Sequence, residues 1–482
     1  VRSFTEDSAE VRNPILSAWE KVLRRRQREA AIVAADGRTL RTFEAIEEEA
    51  REMAGGFRAF APGSVMGLQM GNHPAWPGFV LALWRTGLVP LPLGRHMETD
   101  ELNLALDTCG SSACFQRDEA MSIDAMLETP AAGLTLRVWE GERAQWQGAP
   151  PDLLKLTSGT TSAPRAVRFR AAQLQADCRN ICSTMGLTTA DLNYGVIPVS
   201  HSYGFSNLLL PLLCEGVPMV VSDDRMPRAI LRGLAATGAT VFPGMPVFYD
   251  KLGGLEPRPE LPRLRLCISA GAPLTRAVAE RFTGSFGLKI HTFYGSSECG
   301  GIGYDRSDAL DYSEGSVGTP MDHVQITPEA DGRIVIRGEA VADGYFPADE
   351  PEVLGAGRFV PGDLIDWREG VMFLAGRASD LINIAGRKLN PAEVEAQLST
   401  FPGVKQAIVF GVPSRLRGEQ PIACLAGEGL TREGLMRFCE ERLSQWQRPR
   451  DFWIVPEIAV NERGKISRRA LAERYLATGG AE

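Results

Sequence analysis

Between residues 30 and 120, short apolar runs alternate with amphipathic stretches. AAIVA, VMGLQM and GLVPLPL read as buried strands. Thr42 to Phe57 carries Phe43, Ile46, Ala50 and Met53 at the spacing of one helix face, with the Thr42 hydroxyl placed to cap it. Such alternation predicts an α/β layer of parallel strands covered on both faces. It recurs through residues 190 to 305, where MVVS, TVFPG and LRLCISAG each end in small or polar residues. Ligands of such sheets gather beyond the carboxyl ends of the strands. From about 315 to 375 the pattern changes to short strands separated by Gly and Asp, among them GRIVIRG and VMFLAG, which predicts a β-rich unit. Two helical segments with intervening strands follow residue 380. The expected fold is α/β: a large N-terminal region of α/β layers and a β-rich unit, then a small α+β C-terminal domain.

Composition narrows the classes. A chain of 482 residues exceeds one compact core and should divide into about two to four units. A net charge of −8 argues against nucleic acid as a partner. The most apolar stretch, Leu208 to Val221, is interrupted by Pro211, Glu215, Gly216 and Pro218. It reads as core helix, turn and strand, since a membrane span needs about 18 unbroken apolar residues. The charged opening VRSFTEDSAEVRN is unlike a secretory leader, so a cytoplasmic location is expected. Cys109/Cys114 and Cys178/Cys182 lack zinc-site spacing, and the nine cysteines are expected as buried free thiols. The basic run Arg24, Arg25, Arg26 and Arg28 follows the apolar Ile15, Leu16, Trp19 and Leu23 and reads as a solvated helix face.

The most informative segment is LKLTSGTTSAPRAVRFR, residues 154 to 170. An apolar strand runs into Thr157, Ser158, Gly159, Thr160, Thr161 and Ser162. Hydroxyls around a glycine can wrap phosphate oxygens, and Arg165 can add charge-assisted bonds. The spaced glycines of a Walker loop are absent. Alone, such a cluster is more often an ordinary polar loop. It is followed, however, by PVSHSYG at 198–204, SAGAPL at 269–274, TFYGSSE at 292–298, GSVGTP at 315–320 and the GD of 362–363. GRASDLINIAGRKLNPAEVE at 376–395 and NERGKISRRAL at 461–471 complete the series. Taken in this order, the motifs resemble those of the adenylate-forming (AMP-binding) superfamily: acyl- and aryl-CoA ligases, adenylation domains of peptide synthetases, and luciferases.

The resemblance implies an N-terminal domain over 1–378 holding the ATP and acyl sites, and a mobile C-terminal domain over 379–482. It implies activation of a carboxylic acid by ATP and Mg2+, with release of pyrophosphate, and acyl transfer to a thiol. Coenzyme A is the first expectation; a separate carrier protein, or a non-catalytic nucleotide- or acyl-binding homologue, is the alternative. Both reactants are anionic, so cations and donors must stabilise the charge spread over the phosphoryl oxygens. By resemblance, Thr157, Ser158, Gly159, Thr160, Thr161 and Arg165 serve the phosphates. Gly271, Ala272, Pro273 and Tyr294 serve adenine, beside Gly295, Ser296 and Ser297. Asp363 takes the ribose hydroxyls, Arg377 reaches the nucleotide, and Glu298 holds the magnesium.

Lys465 is the catalytic cation of adenylation in the same reading, and His201 orients the carboxylate. The acyl lining comprises Ser202, Phe205, Met245, Gly271, Gly295, Gly300, Gly301 and Ile302. The hinge falls at Ser379 and Asp380. Ala385, Gly386, Arg387 and Lys388 face the thiol tunnel, with a plain hairpin turn and two surface cations as the competing view. His291 is either near the pocket or packed for structure. No acidic residue occurs between Val199 and Leu213, which disfavours a free α-amino acid as substrate. No carrier segment follows residue 475, so the thiol is expected to arrive separately. The phosphate loop departs from the family at Ser162, Arg165 and Ala166, which replace a glycine, a lysine and a glycine. Arginine keeps the charge but changes the bonding geometry.

Overall fold

The computed structural model describes residues 13–117, 133–157, 164–310, 312–329, 332–384, 387–414, 418–458 and 466–478. The chain forms two compact units, Val1–Ile326 with Val335–Val360, and Thr327–Ile334 with Pro361–Glu482.

In the first unit the expected strands form. The large sheet runs Thr39–Thr42, Ala30–Ala34, Met219–Val221, Asn193–Gly195, Val241–Gly244, Leu266–Ser269, Ile290–Ser296, Gly300–Tyr304 and Ser316–Pro320. From Ala30–Ala34 to Ile290–Ser296 all neighbours are parallel, so their carboxyl ends share one edge. The helix Phe43–Phe57 buries Phe43, Ile46 and Ala50, and the Thr42 hydroxyl accepts from the Ala45 N–H at 3.1 Å. Under the sheet's centre, Tyr249 meets Phe242 and Phe282 edge-on at 5.3 and 5.0 Å. Its hydroxyl donates to the carbonyls of Phe242 and Ile268, so the buried polar tip is satisfied. A second sheet pairs Val65–Gln69 with Val89–Pro92 and Ser111–Arg117, all parallel and mostly buried. The helix Pro14–Arg26 exposes Arg24 and Arg25, but Arg26 turns inward to donate to the Thr189 carbonyl and to pair with Glu29.

The β-rich stretch distributes its strands. Gly344–Phe346 joins the hairpin formed by Leu153–Thr157 and Arg165–Phe169, rather than pairing with its sequence neighbours. All nine cysteines are free and buried. Among the described residues no helix is long and apolar enough to cross a membrane.

The second unit contains the hairpin Asp363–Arg368 with Val371–Arg377, and a sheet of Arg387–Leu389, Ile382–Ile384, Gly418–Gly427 and Val404–Ser414 with Asp451–Val455. Because side chains alternate across a strand, Ala407, Val409, Ala423 and Leu425 enter one core, and Phe410, Val412, Ile422 and Cys424 the other. Both faces are covered by helices. Among the described residues three α-helices form here, Pro391–Leu398, Arg432–Arg442 and Arg468–Ala477, where two were expected. In Arg468–Ala477 only Leu471 and Tyr475 are buried, too sparse a stripe to stand out in so charged a sequence. Arg468 fastens it: its guanidinium bonds both Glu395 oxygens at 2.8 Å, Asp380 at 2.6 Å and the Val409 carbonyl at 3.1 Å. Replacing Arg468 with Ala leaves the half-buried Glu395 carboxylate without its cation, held only by the Val409 N–H. The change should destabilise the second unit by roughly 3 kcal/mol, read as a lowered thermal midpoint and faster amide exchange along Val404–Ser414.

Candidate nucleotide and acyl site

The parallel strands decide where the predicted residues meet. Pro198–Gly204 follows Asn193–Gly195, Met245 follows Val241–Gly244, Gly271–Pro273 follow Leu266–Ser269, and Glu298 follows Ile290–Ser296. Because these strands are adjacent in the sheet, the segments leave one edge side by side. Tyr203 ties them together: its hydroxyl donates to the Ile268 carbonyl at 3.1 Å and its ring stacks on Phe293 at 5.6 Å. Burial pushes its pKa well up, so it stays a neutral donor. Sequence reasoning passed over this residue, although an aromatic between His201 and Gly204 was a signal. Gly204 is required where it stands, because a Cβ there would sit 2.1 Å from the Pro198 carbonyl oxygen.

The turn before His201 is clamped from a distant part of the chain. Asn72 accepts from the Val199 N–H at 2.9 Å and donates to the carbonyls of Gly195, Ile197 and Ser222. His201 stands at the N-cap of the short helix Ser202–Gly204 without a side-chain cap bond; its backbone carbonyl accepts from the Phe205 N–H at 2.8 Å. His201 and Ser202 are half-buried, as is Met245, while Phe205 and Ile302 are buried. Gly271 has φ +84°, and among the described residues only the Met245 methyl, at 3.8 Å, comes within 4 Å of a Cβ built there. Tyr294 is buried and Gly295 exposed. His291 is a packing residue, stacked on Tyr304 with Nδ1 2.8 Å from the Asp305 carbonyl.

The phosphate segment is the connection of a hairpin, with Thr157 opposite Arg165. Ser158, Gly159, Thr160, Thr161 and Ser162 lie outside the described residues. Thr157 donates its hydroxyl to the Arg165 carbonyl at 3.3 Å. Arg165 pairs with Glu350 at 2.6 Å, and its guanidinium lies 3.9 Å from the centre of the Tyr345 ring. Ala166 is buried in register with Phe346, so the position is occupied by core packing. Glu298 is half-buried, and its Oε1 accepts the Tyr345 hydroxyl at 3.0 Å. Among the described residues no group of three or more metal-ligating side chains gathers, and a single hydrogen-bonded carboxylate such as that of Glu298 is compatible with magnesium, which keeps most of its waters and needs few protein ligands. Ser296 accepts the Glu298 N–H at 3.3 Å and shapes the turn.

Beneath this turn lies a buried charge pair that the motifs did not disclose. Asp177 is 1% and Lys155 4% exposed. Asp177 accepts the Gly301 N–H at 3.0 Å, and a Cβ on Gly300 would fall 2.0 Å from its oxygen. Glycine at 300, with φ +70°, is thus imposed by the carboxylate as well as by the turn. Lys155 lies over the rings of Phe169 and Phe205 and reaches the Ser206 hydroxyl at 3.4 Å. Burial pushes the lysine down to about 8 and the aspartic acid up, and their mutual attraction offsets this only in part.

In the second unit, Arg377 Nε bonds Asp363 Oδ1 at 2.8 Å across the hairpin where the two are in register. Ser379 donates to Asp380 at 3.1 Å, and Asp380 is held by Arg468. Arg387 and Lys388 are exposed, with Arg387 over the Trp446 ring at 5.6 Å. Ala385, Gly386 and Lys465 lie outside the described residues.

The AMP-binding enzyme family matches residues 19–346, and the AMP-binding enzyme C-terminal domain matches 393–465. The chain belongs to the AMP-binding enzyme family. It is 28% identical over 498 residues to a feruloyl-CoA synthase of Amycolatopsis sp, covering 96% of this chain and 100% of that protein. It is 26% identical over 458 residues to an oxalate–CoA ligase of Arabidopsis thaliana, covering 86% and 89%. In fold it resembles ATP-bound MatB from Rhodopseudomonas palustris, with a TM-score of 0.81 at 21% identity over 95% of this chain and 99% of that one.

For this AMP-binding enzyme the buried pair makes a measurable difference. Replacing Lys155 with Met removes the cation whose attraction favours the buried Asp177 carboxylate and should cost roughly 1–3 kcal/mol, while adding Asp177→Asn should recover most of the loss. Urea unfolding of the two single variants and the double variant checks this. The lysine pKa is lower in the folded chain (about 8) than in the unfolded one (10.5), so folding releases a proton between those values. Keeping Lys155 charged therefore costs the fold in full below pH 8, and that cost is relieved as the pH rises toward 10.5. The rise should be missing in the double variant.

Proposed function

We propose that this enzyme activates an acyl or aryl carboxylic acid as acyl-AMP, releasing pyrophosphate, and then passes the acyl group to coenzyme A. The observation that carries the reading is the linkage of Glu298, at the end of its parallel strand, to Arg165 of the phosphate hairpin through Tyr345. An acid and a base of the phosphate machinery, 133 positions apart in sequence by their numbers, 165 and 298, thereby face one buried side chain.

In this reading the hairpin from Thr157 through Ser158, Gly159, Thr160 and Thr161 to Arg165 receives the phosphates. Glu298 would hold the magnesium, which when bound neutralises phosphate charge. Tyr294 and Gly271–Pro273 border adenine, beside Gly295, Ser296 and Ser297; Asp363 and Arg377 take the ribose and nucleotide. His201 orients the carboxylate at the mouth of a lining made of Ser202, Phe205, Met245, Gly271, Gly295, Gly300, Gly301 and Ile302. These small and apolar types, and relatives named for feruloyl-CoA and oxalate chemistry, favour a small or aromatic acid. Lys465 supplies the cation opposite the developing charge on the α-phosphate. The functional boundary is placed at 378/379, with Ser379 and Asp380 as pivot; Arg387 and Lys388, with Ala385 and Gly386, meet the incoming thiol. A cytoplasmic location belongs to the same proposal.

Pyrophosphate release measured across a panel of carboxylic acids, with and without coenzyme A, tests the reading. Release should require an acid, and an acyl-CoA should appear only when coenzyme A is added. Acid-dependent release with coenzyme A left unacylated would point to a carrier protein, and no release with any acid would point to a binding protein. Lys465→Ala should lower acid-dependent release by about 100-fold or more while sparing thiolysis of supplied acyl-AMP. Equal loss of both half-reactions would remove Lys465 from its assigned role.

A further inference from the structure

Tyr345 occupies a position that the motif reading did not use. It is 2% exposed and lies on Gly344–Phe346, in register with Val167 of the phosphate hairpin. The backbone before it is laced on two sides. The Ala342 N–H donates to the Glu298 carbonyl and the Asp343 N–H to the Arg168 carbonyl, each at 3.0 Å. The segment is therefore a bracket between the Glu298 turn and the hairpin, and Tyr345 is the side chain placed within it.

We propose that Tyr345 is a positioning residue of the phosphate site: its hydroxyl fixes the Glu298 carboxylate and its ring face seats the Arg165 guanidinium. The proposal rests on the reading of Glu298 as the magnesium carboxylate and Arg165 as a phosphate cation. A phenol donating to a carboxylate makes a charge-assisted bond that restricts one oxygen and leaves the other for a cation. A guanidinium is planar and weakly hydrated, so it can lie flat on a ring at 3.9 Å, whereas an ammonium is a strongly hydrated point charge. The arginine at position 165 thus matches the surface presented to it. Its other partner, Glu350, forms a half-exposed pair, with side chains 33% and 48% exposed. Such a pair holds weakly and can yield to a phosphate.

Two variants separate the two contacts. Tyr345→Phe keeps the ring and the burial but removes the hydroxyl; Tyr345→Leu removes both contacts. With Phe, the magnesium concentration for half-maximal adenylation should rise about tenfold, and the gain in ATP affinity on adding magnesium, measured by calorimetry, should shrink. Metal-free ATP affinity should stay near that of the parent. With Leu, metal-free ATP affinity should also fall; Arg165→Lys should weaken ATP binding in the parent but add little in the Leu background. Phe and Leu variants that match the parent in magnesium dependence and ATP affinity would overturn the proposal, as would equal losses in both accompanied by equal drops in thermal midpoint. Glu298→Gln and Arg165→Ala serve as controls on the underlying reading. If they shift magnesium dependence and ATP affinity while Tyr345→Phe and Tyr345→Leu do not, the positioning role alone fails. If they shift neither, the reading of the site fails with it.

Discussion

The pairing of Gly344–Phe346 with Arg165–Phe169 is the constraint on which the site depends. A hairpin at the phosphate segment has no reason of its own to stay beside the Glu298 turn. A third strand, arriving from nearly two hundred residues later by the numbering, supplies that reason. Its backbone satisfies one edge of the hairpin, and the residues just before it bond the Glu298 carbonyl. Loop-closure entropy grows only slowly with length, so such a distant pairing costs little more than a nearer one. The result is a hairpin, Leu153–Thr157 with Arg165–Phe169, whose outer edge is held by a strand from far along the chain.

Beneath the same turn, the molecule accepts an electrostatic cost. Asp177 and Lys155 are buried without forming a close ion pair, and burial moves both away from their charged forms. The return is geometric. One carboxylate oxygen receives the Gly301 N–H and fills the space that a side chain at 300 would need. The turn carrying Glu298 is therefore held from below by Asp177 and from the side by Tyr345, two contacts made by groups far apart in the sequence.

What could be read from the sequence was whatever is local. The Thr42 cap, the helix stripe of Phe43, Ile46 and Ala50, and strands such as AAIVA follow from neighbouring residues and form as expected. The ordered motifs located the sheet-edge segments, because strand order places them along one edge. Contacts made by single side chains across long separations were not readable: Asn72 on the Val199 turn, Asp177 under Gly301, Tyr345 on Glu298 and Arg468 on Asp380. None leaves a periodic or composition signal. Gly300 and Gly301 were placed in the acyl lining for their small size. The structure adds a second reason for their size, since a Cβ at 301 would meet Met321 and Phe293.

The nine cysteines bear on the chemistry in a different way. An acyl adenylate is an electrophile that thiolates attack readily. Every cysteine of the chain is buried, and burial raises the pKa of Cys109 and Cys114 to about 12 and of Cys424 and Cys439 to about 11. Cys299, immediately after Glu298 and 3.4 Å from the Ser296 hydroxyl, is pushed up as well. Its sulfur is kept as a protonated thiol directly after the Glu298 position. Buried thiols with raised pKa values are weak nucleophiles and compete poorly with the thiol of coenzyme A.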